Sequence, residues 1–178
     1  LQATYVRTSA PYCMSNMYTL SVDEITIDPS TSIISNGSPC ANTTSTYSIS
    51  TLHPDAQITW SVVPSHLGSI ASGQGTQNID VQWNDFTGTS ESATVMATIS
   101  LCTDEIDFPL NLTINKSPEP ILNSVDFCQG NSGTASVINS AQFSSFSWSP
   151  SGGNGSSINT NSAGTFTVNT VDFNGCTA

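Results

Sequence analysis

Residues 40–63 read CANTTSTYSISTLHPDAQITWSVV, and residues 128–151 read CQGNSGTASVINSAQFSSFSWSPS. Each stretch opens on a cysteine, and a tryptophan followed by serine stands 20 positions later, at Trp60 and Trp148. Ten residues beyond each tryptophan comes an isoleucine, Ile70 and Ile158, and seven before each cysteine comes another, Ile33 and Ile121. The segments "EITIDP" (24–29) and "NLTINK" (111–116) end just ahead of the two copies, and a second cysteine closes each, Cys102 and Cys176. Landmarks in register over this distance mark a tandem repeat, the second copy about 14 residues shorter between tryptophan and closing cysteine.

Working outward, the same register organises the rest of the chain. "LQATYVRTSAPYC" (1–13) followed by "MYTLSVDEITI" (17–27) parallels "SATVMATISLC" (92–102) followed by "IDFPLNLTI" (106–114). Residues 1–28 therefore read as the last two strands of a preceding copy, 29–116 as a complete domain, and 117–178 as a shorter domain without its last strand. Cys13 would close a copy whose opening cysteine is not in the chain, and so stay unpaired within it.

Within 29–116 the apolar residues alternate in short runs bounded by Gly, Pro, Asn and Ser, which predicts strands near 31–35, 46–51, 57–63, 67–71, 77–83, 93–101 and 107–114. The pleat places Tyr47 with Ile49, Ile79 with Val81 and Trp83, and Val95 with Ala97, Ile99 and Leu101 on single faces. No segment carries a capped 3-4 helical spacing. "SGQGT" (72–76) supplies glycines for a turn of positive φ. Seven short strands predict an all-β fold of tandem immunoglobulin-like β-sandwiches. The Cys–Trp–Cys order then predicts a disulfide within each copy, Cys40–Cys102 and Cys128–Cys176, beside a buried indole; closing roughly 50–60 residues contributes about 4 kcal/mol in the chain-entropy model. The alternative is that some of these thiols are free and buried.

Composition removes several functions. The 178 residues hold 13 acidic side chains and two basic ones, Arg7 and Lys116, for a net charge of −11. Two cations cannot neutralise a phosphate backbone, which excludes nucleic acid. The apolar runs fall far short of the roughly 20 residues that span a bilayer, and an anionic surface would repel the chain, so no membrane insertion is expected. Five cysteines without metal-type spacing suit a secreted protein.

The residues also resemble a known family. "ITWSV" (58–62), "GSIASGQGTQNIDVQW" (68–83) and "ATVMATISLC" (93–102), with Cys40 and Tyr47, are similar to PKD-like repeats; "FCQGNSG" (127–133), "FSWSPSG" (146–152) and "SAGTFTVNTVDFNGC" (162–176) resemble a shorter immunoglobulin-like version. Such repeats occur in very large surface proteins of Bacteroidota, including gliding-motility adhesins exported by the type IX system. The resemblance implies an extracellular, cell-surface role in adhesion, motility or spacing, without catalysis. Two family features are not seen: there is no Asp-Ser or Asp-Thr pair for O-glycosylation, and no carboxy-terminal sorting domain within these residues.

Other candidate chemistry is thin. His53 and His66 are the only histidines, with no nucleophile elbow nearby and no ligand partner at metal spacing. Acidic clusters at Asp23, Glu24 and Asp28, and at Asp104, Glu105 and Asp107, make calcium the one cation to consider, although no EF-hand-like run accompanies them. Five Asn-x-Ser/Thr sequons, at Asn36, Asn42, Asn111, Asn115 and Asn154, match the number expected by chance. Lys116 is the only lysine and sits in a linker, which discounts an isopeptide bond. Trp83 with Phe86 is the aromatic pair free to bind a glycan, since Trp60 and Trp148 read as core. The linkers "DPSTSIISNGSP" (28–39) and "NKSPEPILNSVD" (115–126) are short and proline-bearing, which favours a semi-rigid rod.

The expectation is a non-enzymatic structural segment of a long extracellular adhesin or filament, without a cofactor, its partners being neighbouring repeats or subunits and surface glycans. Competing readings are a glycan- or protein-binding module, an accessory region of a secreted hydrolase, and a polymer subunit completed by strand exchange.

Overall fold

The computed structural model describes residues 2–5, 18–21, 25–150 and 152–178. The tail at the N-terminus forms an antiparallel pair, β1 (Gln2–Tyr5) with β2 (Tyr18–Ser21). Cys13, Asp23 and Glu24 lie outside the described residues, so the reading of Cys13 as unpaired finds no geometry here.

The first sandwich follows with β3 (Ile33–Ser35), β4 (Thr44–Ile49), β5 (Gln57–Val63), β6 (Gly68–Ser72), β7 (Asn78–Trp83), β8 (Ser90–Leu101) and β9 (Asp104–Asn115). They form a four-stranded sheet in the order β3-β4-β7-β6 and a three-stranded sheet in the order β5-β8-β9. That is the four-plus-three arrangement of a constant-type immunoglobulin sandwich. All seven expected strands are present, with ends moved by up to a few residues. β3 lies inside the stretch read from sequence as a linker, because Ile33 pairs opposite Ile49.

Alternation builds the core. Tyr47 and Ile49, Ile58, Trp60 and Val62, Ile79, Val81 and Trp83, and Ala93 to Leu101 at every second position are buried between the sheets. Each fully buried large apolar side chain contributes about 1.5–3 kcal/mol. Ile27 from the preceding tail is buried in the same cluster. The outer faces carry hydroxyls hydrogen-bonded across strands to carboxamides and carboxylates: Thr44 donates to Gln82 at 2.7 Å, Thr94 to Asn111 at 2.7 Å and Thr98 to Asp107 at 2.6 Å. A chain nearly without cations uses these pairs where ion pairs would otherwise stand; such cross-strand pairs contribute about 0.2–1 kcal/mol each. The Gly-Gln-Gly-Thr turn has φ of 81° at Gly73 and 80° at Gly75, and a Cβ on Gly73 would strike the Asn78 carbonyl.

The second sandwich is reduced to β10 (Gly133–Ser136), a 3-10 turn (Ser140–Gln142), β11 (Phe143–Ser149), β12 (Ser157–Thr160) and β13 (Thr167–Asp172). β10 pairs with β12 and β11 with β13. Single bridges, Leu122 opposite Val137 and Thr177 opposite Val171, stand where the first sandwich has β3 and β9. The register identifies what the shorter copy omits. Trp60 lies opposite Ala97 and Trp148 opposite Val168, so β13 matches β8. Tyr47 lies opposite Ile79 and Ala135 opposite Ile158, so β12 matches β7 and nothing matches β6. Ile158 therefore corresponds to Ile79, and its spacing from tryptophan, shared with Ile70 on β6, is coincidental. Likewise Leu122, not Ile121, holds the place of Ile33.

The within-copy disulfides are corrected. Cys40 bonds Cys176, with Cα atoms 5.6 Å apart, while Cys102 and Cys128 are free and exposed. Cys40 bridges Asn115 at one end of the β8–β9 hairpin, and Cys102 occupies its turn at the other. Twelve-residue strands separate them by roughly 35 Å, far beyond the roughly 7 Å that a disulfide can span. In the second sandwich, Cys128 precedes β10 at the pole shared by Thr160 and Thr167, whereas Cys176 follows Asp172 at the opposite end of β13.

Candidate functional site

The site assembled by the fold is the joint between the sandwiches. β9 ends at Asn115, whose N–H donates to the Pro39 carbonyl at 2.9 Å and whose carbonyl accepts from Ala41 N–H at 2.7 Å. Those two bonds fix Cys40 beside the exit strand of the first sandwich. Lys116 comes next. Its Nζ meets Asp85 Oδ1 at 2.6 Å and donates to the Phe86 carbonyl at 2.8 Å, while its backbone N–H donates to Thr89 at 2.9 Å. The Lys116 ammonium bound to Asp85 is the main reason that carboxyl is held below its ordinary value. The linker is thus tied to the β7–β8 connection from its first residue.

Across the joint, Cys176 is 2% exposed, held by the turn after β13. Asp172, itself buried, accepts the N–H groups of Asn174 and Cys176 on one carboxylate oxygen, both at 2.8 Å. Its backbone N–H donates to the Cys176 carbonyl at 2.9 Å. Cys176 Sγ lies 3.7 Å from the Asn115 carbonyl. A cleft of about 300 Å³ remains around the bond, with Asn42, Asp85, Lys116 and Glu119 on its walls. Both halves of the disulfide are therefore positioned by hydrogen-bonded backbone, one in each sandwich. The arrangement can carry load from the first sandwich to the second without passing it through the linker.

Residues 26–108 match the PKD-like domain family. The matched stretch holds β3 to β8 and the start of β9. No curated protein matches the chain. A PKD-like domain together with a disulfide points to an extracellular structural or binding module, and no helix among the described residues is long and apolar enough to cross a membrane.

Trp83 and Phe86 do not form a glycan platform. Trp83 has no exposed surface: it packs edge-on to Tyr47 with ring centroids 6.3 Å apart, and Gly68 leaves room for its ring. Phe86 is half-buried against the same core. Trp83 occupies the last position of an alternating strand, so the pleat directs it inward with Ile79 and Val81. Among the described residues, its Nε1 and the Tyr47 hydroxyl are buried without hydrogen-bond partners. Burial pushes the Tyr47 phenol up, against weaker opposing contributions from Trp83 and Ser45. Trp60 and Trp148 are core, as expected, and their Nε1 atoms donate to Thr76 and Gly155 carbonyls, each at 2.9 Å.

The remaining candidates stay apart. His53 Nδ1 accepts from Asp55 N–H at 3.2 Å, and the His66 carbonyl accepts from Asn84 at 2.8 Å. Asp107 and Glu105 turn to Thr98 and Ser100 across the hairpin. Among the described residues, no three His, Cys, Asp or Glu side chains gather around a point that could hold a metal ion. Sequence reading missed the joint because Cys40 and Cys176 stand 136 residues apart and belong to different copies. The available signal was positional: Cys40 lies next to the linker-proximal end of its domain only once β9 is paired beside it.

Proposed function

We propose that this chain is a structural repeat segment of a long extracellular adhesin or filament, of the cell-surface kind that serves adhesion or gliding. The role is mechanical, without catalysis, and its immediate partners are neighbouring sandwiches. The observation that carries this reading is the Cys40–Cys176 bond, which spans the joint between two sandwiches and not the core of either one. A binding or catalytic module has no need of such a link, whereas a load-bearing array gains a covalent bypass around each linker.

The bypass has a measurable length. Stretched from its ends, the oxidised chain keeps residues 40–176 out of the extension, since the disulfide closes 136 residues of sequence. Reduction should release roughly 450–490 Å of contour length. Full extension of both sandwiches without reductant would remove the support for a mechanical role. The native material, run reduced and denatured, should show a chain of several hundred kilodaltons; a band at 18.6 kDa would overturn the array and leave a small subunit.

A further inference from the structure

Among the described residues, three places carry cysteines at sandwich ends. Cys102 occupies the β8–β9 turn at the N-terminal pole, where Ile27 and Thr31 lie near Leu52 and Ile99. Cys40 and Cys176 meet at the central joint. Cys128 stands at the far pole, next to Phe127, which flanks the Thr160–Phe166 connection.

The register makes these positions equivalent in pairs. Cys40 precedes Tyr47 by seven residues and Cys128 precedes Ala135 by seven, and Tyr47 and Ala135 occupy the same place on β4 and β10. Cys102 belongs to the turn after β8, and Cys176 to the turn after β13, the strand that matches β8. Two residues separate Leu101 from Asp104 in the first copy; three separate Asp172 from Cys176 in the second. The bonded pair is therefore an opening cysteine of one sandwich with a closing-turn cysteine of the next. Among the described residues, the two free thiols are one of each kind, both exposed, at opposite poles.

We propose that Cys102 and Cys128 are the open ends of a disulfide ladder, in which each opening cysteine bonds the closing-turn cysteine of the following sandwich. Cys128 then takes the closing-turn cysteine of a sandwich beyond the far pole, and Cys102 takes the opening cysteine of one before the near pole. Each rung forms when two thiols lose two protons and two electrons to a small disulfide oxidant such as oxidised glutathione, which leaves as two thiols. The ladder rests on the array reading above and adds its covalent register. It makes the repeat polar, since Cys128 bonds Cys102-type cysteines and not another Cys128.

A second molecule of the chain supplies the neighbouring sandwich. In a Cys13→Ser background, C102S and C128S variants are oxidised with a glutathione redox buffer, separately and mixed. Each alone should remain at the mass of one chain; the mixture should shift to two chains, with peptide mapping showing Cys128 of one joined to Cys102 of the other. An intact Cys40–Cys176 bond in each variant verifies folding. Homodimers as abundant as the mixed dimer, a mixture that stays at one chain mass, or a Cys13–Cys102 bond within the wild-type chain would overturn the ladder. Native material of high mass whose Cys102 and Cys128 alkylate without reduction would overturn it while leaving the array standing; native material of one chain mass would overturn the array.

Discussion

The two sandwiches share a tryptophan and its surroundings but solve the same problem by different means. In the first, the backbone of Trp60 is held by the Gln74 side chain: Trp60 N–H donates to Oε1 and the Trp60 carbonyl accepts from Nε2, both at 2.9 Å. In the second, main chain does this, with Trp148 N–H donating to the Gly153 carbonyl and Gly152 N–H donating to the Trp148 carbonyl, both at 2.9 Å. The first copy has β6 and a long turn that delivers Gln74; the second omits that strand and folds its Gly-Gly loop straight back. The cores differ more. Among the described residues, sixteen buried residues fill the first and five the second, where Asp172 takes the place of Leu101. A small domain with little core needs a covalent or other staple, and the second sandwich takes its staple from the first.

The largest expected effect breaks this dependence at the core. Trp→Ala in a packed core costs about 3–5 kcal/mol. Trp148→Ala should abolish hydrogen-exchange protection across β11 and β13, whereas Trp60→Ala should weaken β5 and β8 and leave them folded; equal tolerance in the two copies would end the contrast. Nearly as large is loss of the disulfide. With Cys40 held at Asn115, unfolding of the second sandwich alone opens a loop of 61 residues, a constraint of about 4 kcal/mol. Cys40→Ser should lower the melting transition of the second sandwich and barely move that of the first, as read by domain-resolved exchange. A parallel loss in both would show a single cooperative unit.

Gln74→Ala should be smaller, about 1–2 kcal/mol for two hydrogen bonds to half-buried backbone, and confined to the first sandwich in urea melts. The smallest effect is electrostatic. Ser72 and then Thr46 hold the Asp80 carboxyl below its ordinary 3.8, and Ser30 does the same for Asp28. A depressed folded value adds stability at pH above 3.8 that fades as pH falls through the lower folded value. Acid titration of the first sandwich should therefore steepen below pH 3.8, and Asp80→Asn should flatten that limb. An unchanged acid limb would show the hydroxyl pairs on the outer face to be thermodynamically idle.

Strands were the most legible feature. Ile58, Trp60 and Val62 alternate with Thr and Ser, so both the strand and its buried face could be read directly. Trp83 was misplaced because it ends its strand with Phe86 just beyond, which was read as a freer aromatic pair; only the pairing of β7 between β4 and β6, which sets Tyr47 and Gly68 beside the ring, shows the indole enclosed. The site was the least legible. Spacing identified Cys40, Cys102, Cys128 and Cys176 as a set, but bond partners depend on which ends of strands meet in space.

Local pattern alone determined the repeat, the strand order along the chain and the alternating core, since period-2 burial is a property of neighbours in sequence. Tertiary structure decided that β6 has no counterpart in the second copy, that Ile158 stands for Ile79, and that Cys40 meets Cys176. Each of those depends on pairing between segments far apart in the chain, where a hairpin some 35 Å long separates two cysteines of one domain and brings cysteines of two domains together.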